Sequence, residues 1–301
     1  MKYLDLKTKY DCPIAVALGF FDCIHIGHRL LVNTAREYST SNKGTESALF
    51  TFSNDPSEFL GREKQIYSFD ERACALSDLG LDILISAEFD KEFADLSPVG
   101  FLDMLTEKLN IKAMIAGKDY TFGKFAKGDV AFMKSYCEAK GIEVITVNFE
   151  ERDGHKISTT DMKNLVKSGD IDSLNSLLSE PYFMIGKVVH ARHVGTKLGF
   201  PTANIVISDS KLSLADGVYA TVLSVDGKNY PSMTNVGAKP TFGIEIPSIE
   251  TYVLDFNGDL YGKTVKLSYV TRIRSIQKFS SADALKSQLA RDTERVRELI
   301  K

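Results

Sequence analysis

Two histidines three residues apart, His25 and His28, flank Gly27 in the stretch Gly19-Phe20-Phe21-Asp22-Cys23-Ile24-His25-Ile26-Gly27-His28. The stretch follows the apolar run Ile14 to Leu18 and opens a segment of helical periodicity, so it reads as strand, turn and helix start. A helix N-terminus there offers main-chain N–H groups and the positive end of a dipole to phosphate oxygens. At this spacing the two imidazoles share one helical face and can donate to those oxygens. Gly19 lets the chain leave the strand, and Gly27 admits a nucleotide close to the backbone. The chemistry such a turn suits is stabilisation of charge on a reacting phosphate, with no protein nucleophile. The same pair could instead bind a metal or pack in a core. Only His155, His190 and His193 exist besides, which weighs against a metal centre.

A second cluster runs Gly195-Thr196-Lys197-Leu198-Gly199-Phe200-Pro201-Thr202-Ala203-Asn204. Its glycines allow a backbone open to phosphate, and Thr202 and Asn204 offer hard oxygen ligands suited to Mg²⁺. No GxxxxGK[ST] loop is present, so this is a different phosphate site, or else only a turn into a strand over Ala203 to Val206. Glu250 opens another β-rich run, where by composition an acid is a solvated strand end.

The elements that must position these residues fall into two textures. With 301 residues, 44% of them hydrophobic, the chain can bury two cores. From Ala15 to Val147, apolar runs alternate with helical patterns, the strands being Ala15–Leu18, Ser47–Phe52, Ile83–Ala87, Ala113–Ala116 and Glu143–Val147. Helices are expected near His25–Tyr38, Asp70–Leu79, Pro98–Leu109 and Asp129–Lys140. That is an α/β, Rossmann-like parallel sheet. Ligands in such sheets bind beyond the carboxyl ends of the strands, where Gly19–His28 and the loop Gly117–Gly123 both fall. From Tyr182 onward, six short runs without intervening helices predict a small antiparallel β-barrel: Ile185–His190, Thr202–Val206, Tyr219–Val225, Tyr230–Val236, Thr251–Phe256 and Val265–Val270. A C-terminal helix over Ser280–Lys301, with Ser280 and Asp283 as a capping box, closes the chain. Pro181 marks the boundary, giving domains 1–180 and 182–301.

A net charge of -3 supplies no basic field for nucleic acid, and no stretch approaches the roughly 18 apolar residues of a membrane span. Cys12, Cys23, Cys74 and Cys137 are scattered, which predicts reduced thiols and a cytoplasmic location. A homo-oligomer is left open.

His25-Ile26-Gly27-His28 resembles the HxGH signature of the nucleotidylyltransferase superfamily, and with the GFFD prefix it resembles the adenylyltransferase half of the prokaryotic bifunctional riboflavin kinase/FAD synthetase family. LGFPTANI, Asp216-Gly217-Val218-Tyr219, Asn235-Val236-Gly237 with Pro240-Thr241-Phe242, and Glu250 followed by Asp259-Leu260-Tyr261-Gly262-Lys263 resemble its riboflavin kinase module, in family order. The resemblance covers essentially the whole chain. It implies that the second domain phosphorylates riboflavin with ATP and Mg²⁺ to give FMN, and that the first joins FMN to AMP to give FAD and pyrophosphate. By resemblance Glu250 is the base of the kinase, Thr202 and Asn204 hold metal and phosphates, and Gly195, Lys197, Gly199 and Pro201 bind nucleotide. In the first domain Gly19, Phe20, Asp22, His25, Gly27, His28, Ser158, Thr159 and Lys163 are implied at the nucleotide. Asn54, Asp119, Phe122 and, in the kinase, Arg274 are implied at the flavin.

The sequence departs from that family where ISSTxIR is usual: Ile157-Ser158-Thr159-Thr160-Asp161-Met162-Lys163 places an acid where arginine is common and a lysine without the bidentate fork. Ser158 and Asp161 also have capping-box spacing. Ala191, Thr196 and Ile276 depart in the kinase half. Two rival readings follow: a riboflavin kinase with a weakened or regulatory first domain, and a non-catalytic flavin- or nucleotide-binding regulator.

Overall fold

The structure, a computed structural model, describes residues 1–61, 63–148, 151–152, 155–190, 200–241 and 244–301. The chain divides into two compact units, Met1–Thr159 and Thr160–Lys301.

The first unit contains β1 (Lys2–Asp5), β2 (Tyr10–Leu18), α1 (Ile26–Ser41), β3 (Glu46–Phe52), α2 (Pro56–Leu60), α3 (Phe69–Ser77), β4 (Ile83–Ala87), α4 (Lys91–Ala94), α5 (Pro98–Lys108), β5 (Leu109–Gly117), α6 (Val130–Glu138) and β6 (Glu143–Val147), then a short hairpin, β7 (Glu151–Arg152) and β8 (His155–Lys156). Six strands form one parallel sheet in the order β1-β4-β3-β2-β5-β6. The chain leaves β2 toward β3 on one side and returns from β4 to β5 on the other, so β2 and β5 meet at the topological switch point. Ile14, Ala15, Val16, Ala17 and Leu18 are all buried, as expected of a central parallel strand covered on both faces. α5 and α6 supply Phe101, Leu102, Leu105 and Met133 to one core cluster, and α1 packs Leu31, Val32 and Ala35 on β2, β3 and β5. β1 is an addition to the sequence expectation. Its side chains are mostly exposed, so it carries no hydrophobic alternation and is held by parallel pairing with β4.

The second unit begins with most of α7 (Thr159–Ser168) and α8 (Ile171–Leu177), followed by β9 (Phe183–Val189), β10 (Thr202–Val206), β11 (Gly217–Val225), β12 (Lys228–Thr241), β13 (Ile244–Val253), β14 (Thr264–Arg274) and α9 (Ala282–Leu299). The strands close into an antiparallel barrel, β10-β13-β12-β11-β14-β9. α8 docks on β14: Asn175 Nδ2 donates to the Tyr269 carbonyl at 2.9 Å and its Oδ1 accepts from the Tyr182 amide at 2.7 Å. Period-2 alternation points Tyr219, Thr221, Leu223 and Leu267 inward, where the hydroxyls of Thr221, Ser232, Thr234 and Thr251 satisfy one another at 2.8 to 2.9 Å. The opposite face of β11 and β12 packs Val218, Ala220 and Met233 with Val296 of α9.

Two expectations are corrected. α9 is capped by Ser281, whose Oγ accepts from the Ala284 amide at 3.1 Å, so the Ser280–Asp283 box does not form. β13 starts at Ile244 rather than Thr251, which places Glu250 inside a paired strand and not at its solvated end.

Candidate active sites

The first candidate site is the turn between β2 and α1. His25 precedes the helix instead of lying in it: it is the N-cap, and its Nδ1 accepts from the amides of Gly27 (3.1 Å) and His28 (3.3 Å). Those two N–H groups are therefore satisfied by the imidazole. Because Nδ1 is an acceptor, Nε2 is the protonated nitrogen of the neutral ring. His28 is the reverse. Its Nδ1 lies 2.5 Å from the Cys23 carbonyl. A carbonyl only accepts, so Nδ1 carries the proton and Nε2 of the neutral ring is itself an acceptor. The rings stack with centroids 3.7 Å apart. Burial first, and His25 alongside, lower the His28 pKa well below its ordinary 6.5.

Gly19 is required for a reason other than turn freedom: a Cβ there would meet the Phe21 ring at 2.8 Å. The left-handed conformation falls on Phe21 (φ 54°), at a cost of roughly 1–3 kcal/mol for a non-glycine residue. Phe21 in turn packs on His28, with ring centroids 4.9 Å apart. Asp22 is buried and faces inward, its Oδ1 accepting from the amides of Ile66 (2.6 Å) and Tyr67 (3.4 Å). Phe20 stacks over the guanidinium of Arg72 at 4.8 Å, a fully buried side chain on α3 that the sequence reading missed, since a charged residue in a helical pattern reads as solvated.

The residues expected at a flavin occupy neighbouring loops at the same carboxyl ends. Asn54 is engaged on both sides with Phe89, its Oδ1 accepting from the amide at 2.7 Å and its Nδ2 donating to the carbonyl at 3.0 Å. Phe52, Phe89 and Phe93 form an edge-packed group with centroids 5.0 to 5.5 Å apart, and the half-exposed Phe59 sits against Phe89. After β5, Asp119 is exposed, whereas Phe122 is buried against Tyr120 and Phe101. Ser158, Thr159, Asp161 and Lys163 lie at the start of α7, Asp161 in its first turn.

The second candidate site is a row across five barrel strands. Asn204 of β10 pairs with Glu250 of β13, Glu250 with Asn235 of β12, Asn235 with Val218 of β11, and Val218 with Arg274 of β14. Thr202, Tyr252 and Met233 make the adjacent row on the same face. All of these residues except Asn204 line a cavity of about 340 Å³, together with Phe200 and with Ile276, Phe279 and Leu289 from the segment leading into α9 and from α9 itself. That volume suits a small organic ligand, and its apolar walls around a few polar groups suit a ring system with one reactive end. Ser248 Oγ donates to Glu250 Oε1 at 3.3 Å. Arg274 is held by buried Asp292, with Nη2 2.8 Å and Nε 2.9 Å from Oδ2, while Gln288 donates to the other carboxylate oxygen at 2.7 Å. Arg274 therefore forms part of the wall with its charge already paired. Asn235 belongs to the row although the sequence reading gave it no role. Pro201 is exposed beside Thr202, and Gly195, Lys197, Gly199, Ala191 and Thr196 lie outside the described residues.

Thr202, Asn204 and Glu250 offer oxygen donors of the kind Mg²⁺ prefers, but among the described residues no cluster of three His, Cys, Asp or Glu side chains could hold a metal unaided. No described helix is long and apolar enough to cross a membrane.

The FAD synthetase family model matches residues 7–161 and the riboflavin kinase model residues 178–300. A bifunctional riboflavin kinase/FMN adenylyltransferase of Bacillus subtilis (strain 168) is 36% identical, over 92% of this chain and 89% of its own. That of Listeria monocytogenes is 32% identical over 95% and 92%, and that of Escherichia coli (strain K12) 30% over 94% and 91%. A crystal structure described as a macrolide-efflux protein from Streptococcus pneumoniae superposes with a TM-score of 0.88 at 32% identity, covering 99% of both chains.

Proposed function

The chain belongs to the bifunctional riboflavin kinase/FMN adenylyltransferase family, and from that premise we propose how its residues divide the work. The enzyme phosphorylates riboflavin with ATP to FMN and adenylylates FMN with ATP to FAD. We assign adenylylation to residues 1–180 and phosphorylation to 182–301.

In the kinase the observation that carries the assignment is the row Asn204–Glu250–Asn235 on one barrel face. Glu250 takes the proton of the riboflavin 5′-hydroxyl as its oxygen attacks the γ-phosphorus, and ADP leaves. The Ser248 hydroxyl orients that carboxylate. Thr202 and Asn204 hold phosphate oxygens and would complete the shell of a Mg²⁺ ion carried mainly by ATP; that ion would neutralise charge developing on the transferred phosphoryl group. The isoalloxazine ring lies against Met233, Tyr252 and Phe279 in the cavity.

In the first unit an FMN phosphate oxygen attacks the α-phosphorus of the second ATP and pyrophosphate departs. His25, through Nε2–H, and His28, once protonated at Nε2, donate to the charge that moves onto the leaving group. Each ring is held through Nδ1 by the local backbone, which supports assigning the donation to Nε2. Lys163, on the helix that opens the second unit, is assigned to this reaction by family resemblance alone. Cys12, Cys23, Cys74 and Cys137 form no disulfide, which fits a cytoplasmic enzyme.

The test is product separation. Full-length protein given riboflavin, ATP and Mg²⁺ should yield FMN, then FAD. A fragment Thr160–Lys301, which keeps the helices docked on β14, should stop at FMN. FAD from that fragment would overturn the division.

A further inference from the structure

Arg72 is completely buried. Its Nη1 donates to the Phe20 carbonyl at 3.1 Å and to Thr51 Oγ1 at 2.7 Å, and its Nη2 donates to the Phe52 carbonyl at 2.8 Å. Thr51 also donates to the Phe20 carbonyl, at 2.6 Å. One guanidinium thus ties the end of β3 to the second residue of the phosphate turn, with the Phe20 ring lying over its face. Burying a cation this deeply is unfavourable unless something nearby requires it. Three buried carboxylates act on it: Asp22, Asp55 and Glu71. Each also accepts main-chain N–H groups, Asp22 from Ile66, Asp55 from Ser57 and Gln65, Glu71 from Ser68. Burial lowers the guanidinium pKa to about 10, so it stays charged near neutrality.

Without that cation, the charge balance behind the turn where two anionic substrates must meet would shift by one unit toward the negative. Without its hydrogen bonds, the Phe20 carbonyl would lose one of its two side-chain donors, and the next residue is the left-handed Phe21 that supports the His28 ring. We propose that Arg72 is a positioning residue for adenylyl transfer: it fixes the Phe20–Phe21 turn that sets His28 and offsets the negative charge of Asp22, Asp55 and Glu71 beneath it. The proposal rests on reading Gly19–His28 as the phosphate turn, and it distinguishes Arg72 from a residue that merely pins two strands together.

The experiment uses the full-length enzyme, with kinase turnover as an internal control of folding and concentration. Arg72→Met is expected to lower FMN adenylylation by about 10²–10³, the scale for losing a preorganised group at a reacting phosphate. Riboflavin phosphorylation should stay within about twofold of the parent, on the additivity expected of separate sites. Arg72→Lys, which keeps the charge without the fork, should recover about tenfold over Arg72→Met. Because Arg72 acts through His28, Arg72→Met combined with His28→Ala should lose much less than the product of the two single losses. Thr51→Val leaves the buried cation in place, removes the two hydrogen bonds of the Thr51 hydroxyl, and should lower kcat for adenylylation by about tenfold while riboflavin phosphorylation stays at the parent rate. Full multiplication of the single losses, or Arg72→Met within about threefold of parent, would overturn the proposal. Should Arg72→Met fail to fold, Thr51→Val decides, and a parent rate there overturns it as well. A parent rate in His28→Ala alone would instead sink the phosphate-turn reading.

Discussion

At the turn proposed for adenylylation the candidate groups sit on a loop whose shape is imposed from behind. The Phe20 carbonyl is held by Thr51 and Arg72, and the Asp22 carboxylate by the amides of Ile66 and Tyr67. On the barrel the proposed groups sit on strands, and Asn204, Glu250 and Asn235 are neighbours because the ladder makes them so. A site set by register keeps its geometry when one side chain changes, because backbone hydrogen bonds and not the side chains hold the spacing. A site set by a buried polar network is vulnerable at a distance, since its geometry depends on residues that never touch substrate.

The sharpest way to break that contrast is at Glu250. Glu250→Gln keeps size and hydrogen bonding and sits in an intact ladder, so FMN formation should fall by about 10²–10⁴ while melting temperature and the adenylylation of supplied FMN stay at parent values. Steady-state rates for the two half-reactions, measured separately, check this. Kinase turnover at the parent level would remove Glu250 as the base, and a large drop in stability would show that the row is not set by register alone.

At the loop site the corresponding change is His28→Ala. It should lower FAD formation by about 10²–10³ and leave the kinase untouched. Unlike Glu250→Gln it also removes ring contacts with His25 and Phe21, so a loss of order in the turn should accompany the rate loss. Amide exchange at residues 19–28 reads that directly, and an unchanged exchange pattern would make the two sites more alike than argued.

The titration of His28 sharpens the comparison further. Its folded pKa lies below the ordinary 6.5, so above that value the ring is neutral in both folded and unfolded chains. As pH falls through 6.5 the unfolded chain takes a proton that the folded first unit resists, and stability declines until the folded pKa is passed. The loss should therefore begin near pH 6.5 in the first unit and be absent in His28→Ala. A bound triphosphate favours the charged ring, so ATP binding should take up a proton near neutral pH, seen as a dependence of binding heat on the buffer's ionisation enthalpy. Binding heat that is the same in all buffers would leave His28 neutral and reassign the donation to His25.

Much of this architecture was legible in the chain, and the failures have a common cause. β4, β6 and β10 fall at the residues expected, because a short β-rich run bounded by turn residues fixes both type and ends. β13 was cut short because Glu245 and Pro247 interrupt its apolar pattern, although pairing with β12 continues past them. His25 and His28 were recognised as a pair, but the local bonds that make one a cap and fix opposite tautomers leave no mark on spacing. Arg72 was invisible for the same reason on a larger scale: its partners Phe20, Thr51 and Phe52 stand 52, 21 and 20 residues away. The residues proposed to act from a regular strand could be read from motifs, and the one proposed to act by supporting a loop could not.

The smallest expected effect concerns the departure at Asp161, where local structure and catalysis pull in opposite directions. Asp161 is exposed in the first turn of α7, where an acid is favoured by about 0.3–1 kcal/mol through the helix dipole. Asp161→Arg replaces that with a like-signed group, so the second unit should lose about 1 kcal/mol, seen as a lower melting temperature. If the side chain also faces the polyphosphate of the first reaction, relief of about 1 kcal/mol of repulsion raises adenylylation about fivefold. We expect both changes together. Adding Lys163→Arg supplies the planar fork and should increase the gain, because two parallel donors hold phosphate more firmly than one ammonium. Stability lost without any gain in rate would show that Asp161 serves α7 alone, and the comparison would then place this position with the scaffold rather than with the loop site.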